Sequence, residues 1–295
     1  MPATSLPTAS DPTAATEAPA HAMACVEIWG GNEPTSTAVS TPGIDAYIYS
    51  RPFESQHAGG DIHYVSLCSA GNIARFVVAD VAGHGAEVAE LASGLRGMMR
   101  RNINTLDQTR FARSLNRLFS QENTSGRFAT ALLATYWAPD DQLILCNAGH
   151  PRPMHYRAEA NVWSVLEDRP GVNASEAPGN LPLGIIHPTP YTQSAYPLKR
   201  DDVVVIYTDA LVEAKSPSGE MLREAGLLEM LGSLDTRHPD RLIEALLARI
   251  AEFTGGRPLD DDVTVLVLHH NAADPPAYTL GEKVAAVGRW LGLRH

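Results

Sequence analysis

Apolar residues along the chain recur with two different periods. In Ile44–Ser50 (IDAYIYS) they fall on every second position, the period of a strand with one buried face. The run Asp61–Val81 (DIHYVSLCSAGNIARFVVADV) reads as two strands joined at Ser69-Ala70-Gly71-Asn72, with Gly71 supplying the positive φ of a tight hairpin. Over Ala86–Asn102 the period lengthens: Val88, Leu91, Ala92, Leu95, Met98 and Met99 recur as on the core face of a helix, which makes the methionines packing residues rather than ligands. A second helix is expected over about Thr109–Gln121, with Phe111, Leu115, Leu118 and Phe119 on one side. Strands return at Phe128–Trp137, Gln142–Asn147 and Arg152–Arg157, followed by a long polar loop over residues 158–180. Then come strands Tyr191–Leu198 and Asp202–Thr208, helices near Leu222–Leu231 and Pro239–Phe253, and a last strand, Val263–His269. Hairpins that bracket paired helices, without βαβ crossovers, predict an α+β fold of two packed antiparallel sheets with helices outside.

The ends read differently. Residues 1–22 are rich in Ala, Pro, Thr and Ser, with almost no large apolar side chain, and are expected to be a disordered, low-complexity segment. Residues 23–270 form the folded domain, beginning with an irregular stretch to Gly43 anchored by Ile28 and Trp29. Residues 271–295 read as a linker and an amphipathic helix with Leu280, Val284, Val287 and Leu291 on one face.

Composition narrows the partners. A chain that is 44% hydrophobic and 19% charged is of globular type. A net charge of −11 argues against nucleic acid and anionic membrane, both of which need a basic footprint. Three cysteines, Cys25, Cys68 and Cys146, show no metal-ligand spacing; an odd count without a signal peptide favours a reducing, cytoplasmic setting, with Cys68 and Cys146 as core thiols. No run approaches the length of a membrane span.

The candidate chemistry lies in four aspartates at the ends of strand-like runs: Asp61, Asp80, Asp209 and Asp261. A turn centred on Ala70-Gly71 would set Asp61 opposite Asp80, with Cβ atoms roughly 4.5–5.5 Å apart, and one centred on Gly71-Asn72 would offset them by two residues, still within reach. Asp209 closes the run DVVVIYTD, and Asp261 stands just before VTVLVLH; if those strands are antiparallel neighbours, both acids fall on one rim. Aspartates also punctuate strand ends by bonding nearby amides. Four gathered together repel one another unless a multivalent cation holds them.

Seven motifs in order carry a resemblance: Gly59-Gly60-Asp61, Asp80-Val81-Ala82-Gly83-His84-Gly85, Phe128-Ala129-Thr130-Ala131, Asn147-Ala148-Gly149-His150-Pro151, Leu181-Pro182-Leu183-Gly184, Tyr207-Thr208-Asp209 and Asp261-Asp262-Val263-Thr264. Over residues 44–270 the chain resembles the bacterial SpoIIE/RsbU branch of the metal-dependent (PPM, type 2C) serine/threonine phosphatases. The resemblance implies an αββα sandwich with two Mn²⁺ or Mg²⁺ ions at one edge. It makes Asp80 the bridging carboxylate, Val81 a ligand through its carbonyl, and Asp61, Asp209 and Asp261 the other metal acids; Asp261 is chosen over Asp262 because the family's acid lies three residues before the threonine. The implied reaction is hydrolysis of phosphoserine or phosphothreonine by a water activated between the ions, with no phosphoenzyme. The implied substrate is a bacterial signalling phosphoprotein such as an anti-sigma-factor antagonist. A catalytically inactive adaptor that binds a phosphoprotein is the alternative. His84 is a candidate general acid, with packing at the helix start as the competing role, and His150 reads as structural. Two departures stand out: Ala210 follows Asp209 where glycine is usual, and Gln56 replaces the phosphate-gripping arginine of the eukaryotic branch, leaving Arg51 as the nearest candidate.

Overall fold

The computed structural model describes residues 26–68, 72–123, 126–167 and 179–274. Within them, twelve strands pair antiparallel in two six-stranded sheets. Sheet 1 runs β1 (Val26–Gly31), β4 (Asp61–Cys68), β5 (Ile73–Val81), β6 (Ala129–Trp137), β7 (Gln142–Ala148), β10 (Ser194–Pro197). Sheet 2 runs β2 (Thr35–Thr41), β3 (Ile44–Arg51), β12 (Val263–His270), β11 (Val203–Tyr207), β8 (Met154–Arg157), β9 (Val162–Val165). Helices α1 (Ala86–Arg101) and α2 (Gln108–Glu122) cover sheet 1; α3 (Arg223–Gly232) and α4 (Pro239–Phe253) cover sheet 2. The result is the expected αββα sandwich.

Strand alternation sorts side chains into its layers. On β11, Val204 and Ile206 point inward and meet Phe76, Val78 and Leu132 of sheet 1 between the sheets. Val203, Val205 and Tyr207 point outward against Leu227, Leu231, Leu242 and Leu246 of the helices. On the far side, Ile62, Tyr64, Val77 and Ala79 meet Leu95, Met98, Phe111 and Phe119. With both faces covered, the central strands read as near-continuous apolar runs. Asp107 caps α2, its Oδ1 accepting from the amides of Thr109 and Arg110.

Three expectations need correction. The stretch before Gly43 is not irregular but forms β1 and β2, edge strands whose solvent faces carry few apolar residues. The start of the presumed 158–180 loop is the hairpin β8–β9. Cys146 is buried in the core, whereas Cys68 is not a core thiol but disulfide-bonded. The Gly71 turn, the N-terminal segment and the C-terminal helix lie outside the described residues. No helix among the described residues is long and apolar enough to cross a membrane.

Candidate active site

Hairpin register brings the first two acids together. Asp61 opens β4 and stands directly opposite Asp80 near the end of β5, the closer of the two registers expected. On sheet 2, Asp209 lies two residues past β11 and Asp261 two residues before β12; the Thr208 amide donates to the Thr264 carbonyl at 3.0 Å, continuing the strand pairing toward both acids. Thr208 also joins the sheets: its Oγ1 donates to Asp61 Oδ2 at 2.8 Å and accepts from the Thr264 amide at 2.9 Å. One rim of the sandwich therefore carries acids from both sheets.

Their electrostatics show mutual proximity. Burial, reinforced by the charge of Asp80, holds the Asp61 carboxyl well above the carboxylate range. Burial and the charges of Asp209 and Asp261 push Asp80 up to about 8. Asp209 is raised to about 6 by burial, Glu213 and Asp261, and partial desolvation of its carboxyl also raises Asp261 although the residue as a whole is exposed. Glu213, which the sequence reading passed over, bears on Asp80, Asp209 and Asp261 alike. Carboxyls that resist ionising together are poised for a cation that replaces their protons. An all-oxygen donor set suits hard ions such as Mg²⁺ or Mn²⁺. Among the described residues, no three His, Cys, Asp or Glu side chains close into a ready-made cage. The donors fit such an ion in chemistry and location without being pre-closed around it.

Neighbouring Asp262 does different work. Its Oδ1 accepts from the Phe53 amide at 2.6 Å, and its Oδ2 from the amides of Gly60 at 2.5 Å and Asp61 at 3.3 Å. This close approach explains Gly59-Gly60: a Cβ on Gly59 would lie 2.4 Å from Asp262 Oδ2, and one on Gly60 would lie 2.8 Å from the Val81 carbonyl oxygen. Asn32 fixes the same turn from outside, donating to the carbonyls of Gly59 and Ala89 at 2.9 Å each. Neither the Asn32 tether nor the Asp262 cap has a local signal in the chain, because the partners are distant in sequence. Asp261 is exposed and accepts only its neighbour's amide among these bonds.

His84 is exposed, 6.3 Å by ring centroid from Phe53, and its charge bears on Asp261. His150 lies closer to the acids than the sequence suggested. Its Nδ1 meets Thr130 Oγ1 at 2.9 Å, and Thr130 stands opposite Asp80 on the next strand. Asn147 holds this turn, bonding both the amide and the carbonyl of His150. Ala210 sits in a 3₁₀ turn, Asp209–Leu211, outside the positive-φ region, so the missing glycine costs the backbone nothing. Arg51 ends β3 opposite Val263, exposed on the acids' rim.

The family model described as Stage II sporulation protein E (SpoIIE) matches residues 71–271. The chain belongs to the SpoIIE family. It is 25% identical over 217 residues to the phosphoserine phosphatase RsbU of Bacillus subtilis, an alignment spanning 72% of this chain and 59% of that protein. The crystal structure of the RsbU and RsbW domains of a Mycobacterium tuberculosis protein superposes with a TM-score of 0.68 at 25% identity, covering 88% of this chain and 71% of that one. The PP2C phosphatase domain of Bacillus subtilis SpoIIE, solved with a fragment of its regulatory domain, gives a TM-score of 0.64 at 16% identity, covering 80% and 64% of the respective chains, and supports the fold alone. The SpoIIE-family sandwich is thus the PPM, PP2C-type fold, and its acid-bearing rim is the region the motifs converge on.

Proposed function

We propose that the protein is a metal-dependent phosphatase that hydrolyses phosphoserine or phosphothreonine on a bacterial signalling protein, of the kind represented by anti-sigma-factor antagonists. The observation that carries this reading is the register that sets Asp61 opposite Asp80 at a rim where Thr208 ties that pair to the strand ends bearing Asp209 and Asp261. In this reading the four carboxylates and the Val81 carbonyl would hold Mn²⁺ or Mg²⁺, which would supply positive charge to the phosphoryl oxygens and acidify water. Asp262, Gly59 and Gly60 keep Asp61 and the Val81 carbonyl in position. Hydrolysis forms a phosphorus–oxygen bond from water and breaks the bond to the serine oxygen, which must leave with a proton; His84, beside Asp261, is the candidate donor.

Release of phosphate from a small aryl phosphate tests this directly. Activity is expected only with added Mn²⁺ or Mg²⁺, and Asp80→Ala and Asp209→Ala should each lower it by at least about 100-fold. Hydrolysis insensitive to both substitutions would reject the metal mechanism. Metal binding without hydrolysis of any phosphoester would instead make the chain a phosphoprotein-binding adaptor.

A further inference from the structure

An apolar patch stands in water beside the acids and is held there by buried polar groups. Phe128, Ile185 and Ile186 are 39%, 48% and 53% exposed. The loop bearing the isoleucines is pinned from beneath: Asn116, fully buried on α2, accepts from the Gly184 amide and donates to the Ile186 carbonyl, both at 2.8 Å. Thr189, also buried, donates to the same carbonyl. Leu183 and Ala129 exchange two backbone bonds, of 2.9 and 2.7 Å, so the loop continues sheet 1 beside Arg127-Phe128. A Cβ on Gly184 would stand 3.1 Å from the Arg127 carbonyl. The Phe128 carbonyl accepts from the Ala82 amide at 2.9 Å, which ties Phe128 to the backbone two residues past Asp80.

Charge adds direction. Although the chain carries a net −11, Arg110, Arg113 and Arg117 are all exposed on α2. With Asn116 turned to the loop, Arg113 and Arg117 lie about 60° and 100° around the helix from it, together on one side of the face that holds the isoleucine loop. A pinned, exposed apolar loop with cations on the adjoining helix has the composition of an interaction surface.

We infer that this surface docks the phosphorylated protein on which the acid site works, gripping a segment whose apolar side chains stand next to acidic ones. The inference rests on the phosphatase reading and adds a substrate preference to it. Phe128 is bonded to the segment that leaves Asp80, and Leu183 is paired with Ala129 beside it, so one bound segment would reach both the patch and the acids, and the cations complement an acidic partner.

The test uses phosphoserine peptides of about ten residues, carrying a Leu-Leu pair and two glutamates at successive distances on either side of the phosphoserine, with a Gly/Ser control. In at least one register, KM with Mn²⁺ should fall about fivefold or more against the control while kcat holds, and the dissociation constant by fluorescence anisotropy should fall in parallel. The Ile185→Ser/Ile186→Ser double variant should lose that gain, and Arg113→Glu/Arg117→Glu should lose most of it. Both should hydrolyse aryl phosphate at the parent rate and melt at the parent temperature. No register bettering the control, or a preference that survives in the isoleucine variant, overturns the docking surface. Failure of the parent protein to hydrolyse aryl phosphate overturns the phosphatase reading instead, and anisotropy then decides the surface alone: a preference lost in the variant upholds it, and no preference sinks it.

Discussion

At the scale of single residues, two adjacent aspartates divide the labour. Asp262 is buried and answers three backbone amides, so removing it leaves buried donors without acceptors, at about 1–3 kcal/mol each where water cannot reach. Asp262→Ala should therefore destabilise the fold by about 2–4 kcal/mol in chemical denaturation. Asp261→Ala, at an exposed position, should change stability by less than about 0.5 kcal/mol without metal, yet weaken Mn²⁺ binding measured by calorimetry. Equal effects of the two changes on stability would remove the distinction. The raised carboxyls also set a pH dependence. With Asp80 raised to about 8 and Asp209 to about 6, the folded chain in chelator keeps protons that the unfolded chain releases above about 4. Stability must then fall as pH rises through that window and level off above about 8. Thermal unfolding in chelator should show the midpoint dropping between pH 5.5 and 8, with Asp80→Asn flattening the slope; a parent slope no steeper than the variant's would show that Asp80 is not so perturbed.

At the scale of elements, what the chain reveals depends on how local the determinant is. The closeness of Asp61 and Asp80 was readable because a short hairpin turn confines the register to within two residues, and α4 begins and ends where its apolar spacing does. By contrast, β1 and β2 escaped notice because an edge strand such as TSTAVST exposes alternate small polar residues and resembles a loop. The β9 strand was hidden similarly, as VWSV lies in a polar stretch and gains its identity only by pairing with β8. At the site, the acids were visible at strand ends, but their supports were not: the Gly60 amide and Asp262 are 202 residues apart, and Asn32 reaches Gly59 and Ala89 across 27 and 57. Glycine was the one local trace of those contacts. Gly59→Ala would drive a methyl group into the Asp262 carboxylate, which is already held by backbone amides and cannot swing away. A loss of about 1–3 kcal/mol is expected, together with weaker metal binding, since the displaced turn carries Asp61. Gly85→Ala, with nothing within 4 Å of the added carbon but a positive φ, should cost stability through backbone strain alone and leave the Asp61–Asp262 geometry intact. If both variants bind Mn²⁺ equally well, the glycine pair does not serve the acid site.

At the scale of the whole molecule, each sheet is a slab covered by its own pair of helices, and between the slabs lies an apolar layer whose attraction, being non-directional, does not by itself fix their lateral position. Polar links at the acid rim supply that position: Thr208 to Asp61 across the sheets, and Asp262 to Gly60 and Asp61. A cation held by acids from both sheets would add a further link, and its binding energy would stabilise the entire sandwich rather than one hairpin. Binding only to the folded state contributes about 2.7 kcal/mol at a hundred times the dissociation constant, or about 5–10 °C in melting midpoint for a domain of this size. Mn²⁺ should produce such a rise in the parent protein, and more at pH 7.5 than at 5.5, where protons still compete for Asp80 and Asp209. Asp80→Ala, in sheet 1, and Asp209→Ala, in sheet 2, should each abolish most of the rise. Should Asp209→Ala keep the full Mn²⁺ shift while Asp80→Ala loses it, the ion would belong to the β4–β5 hairpin alone, and joining of the two sheets by the metal would be refuted.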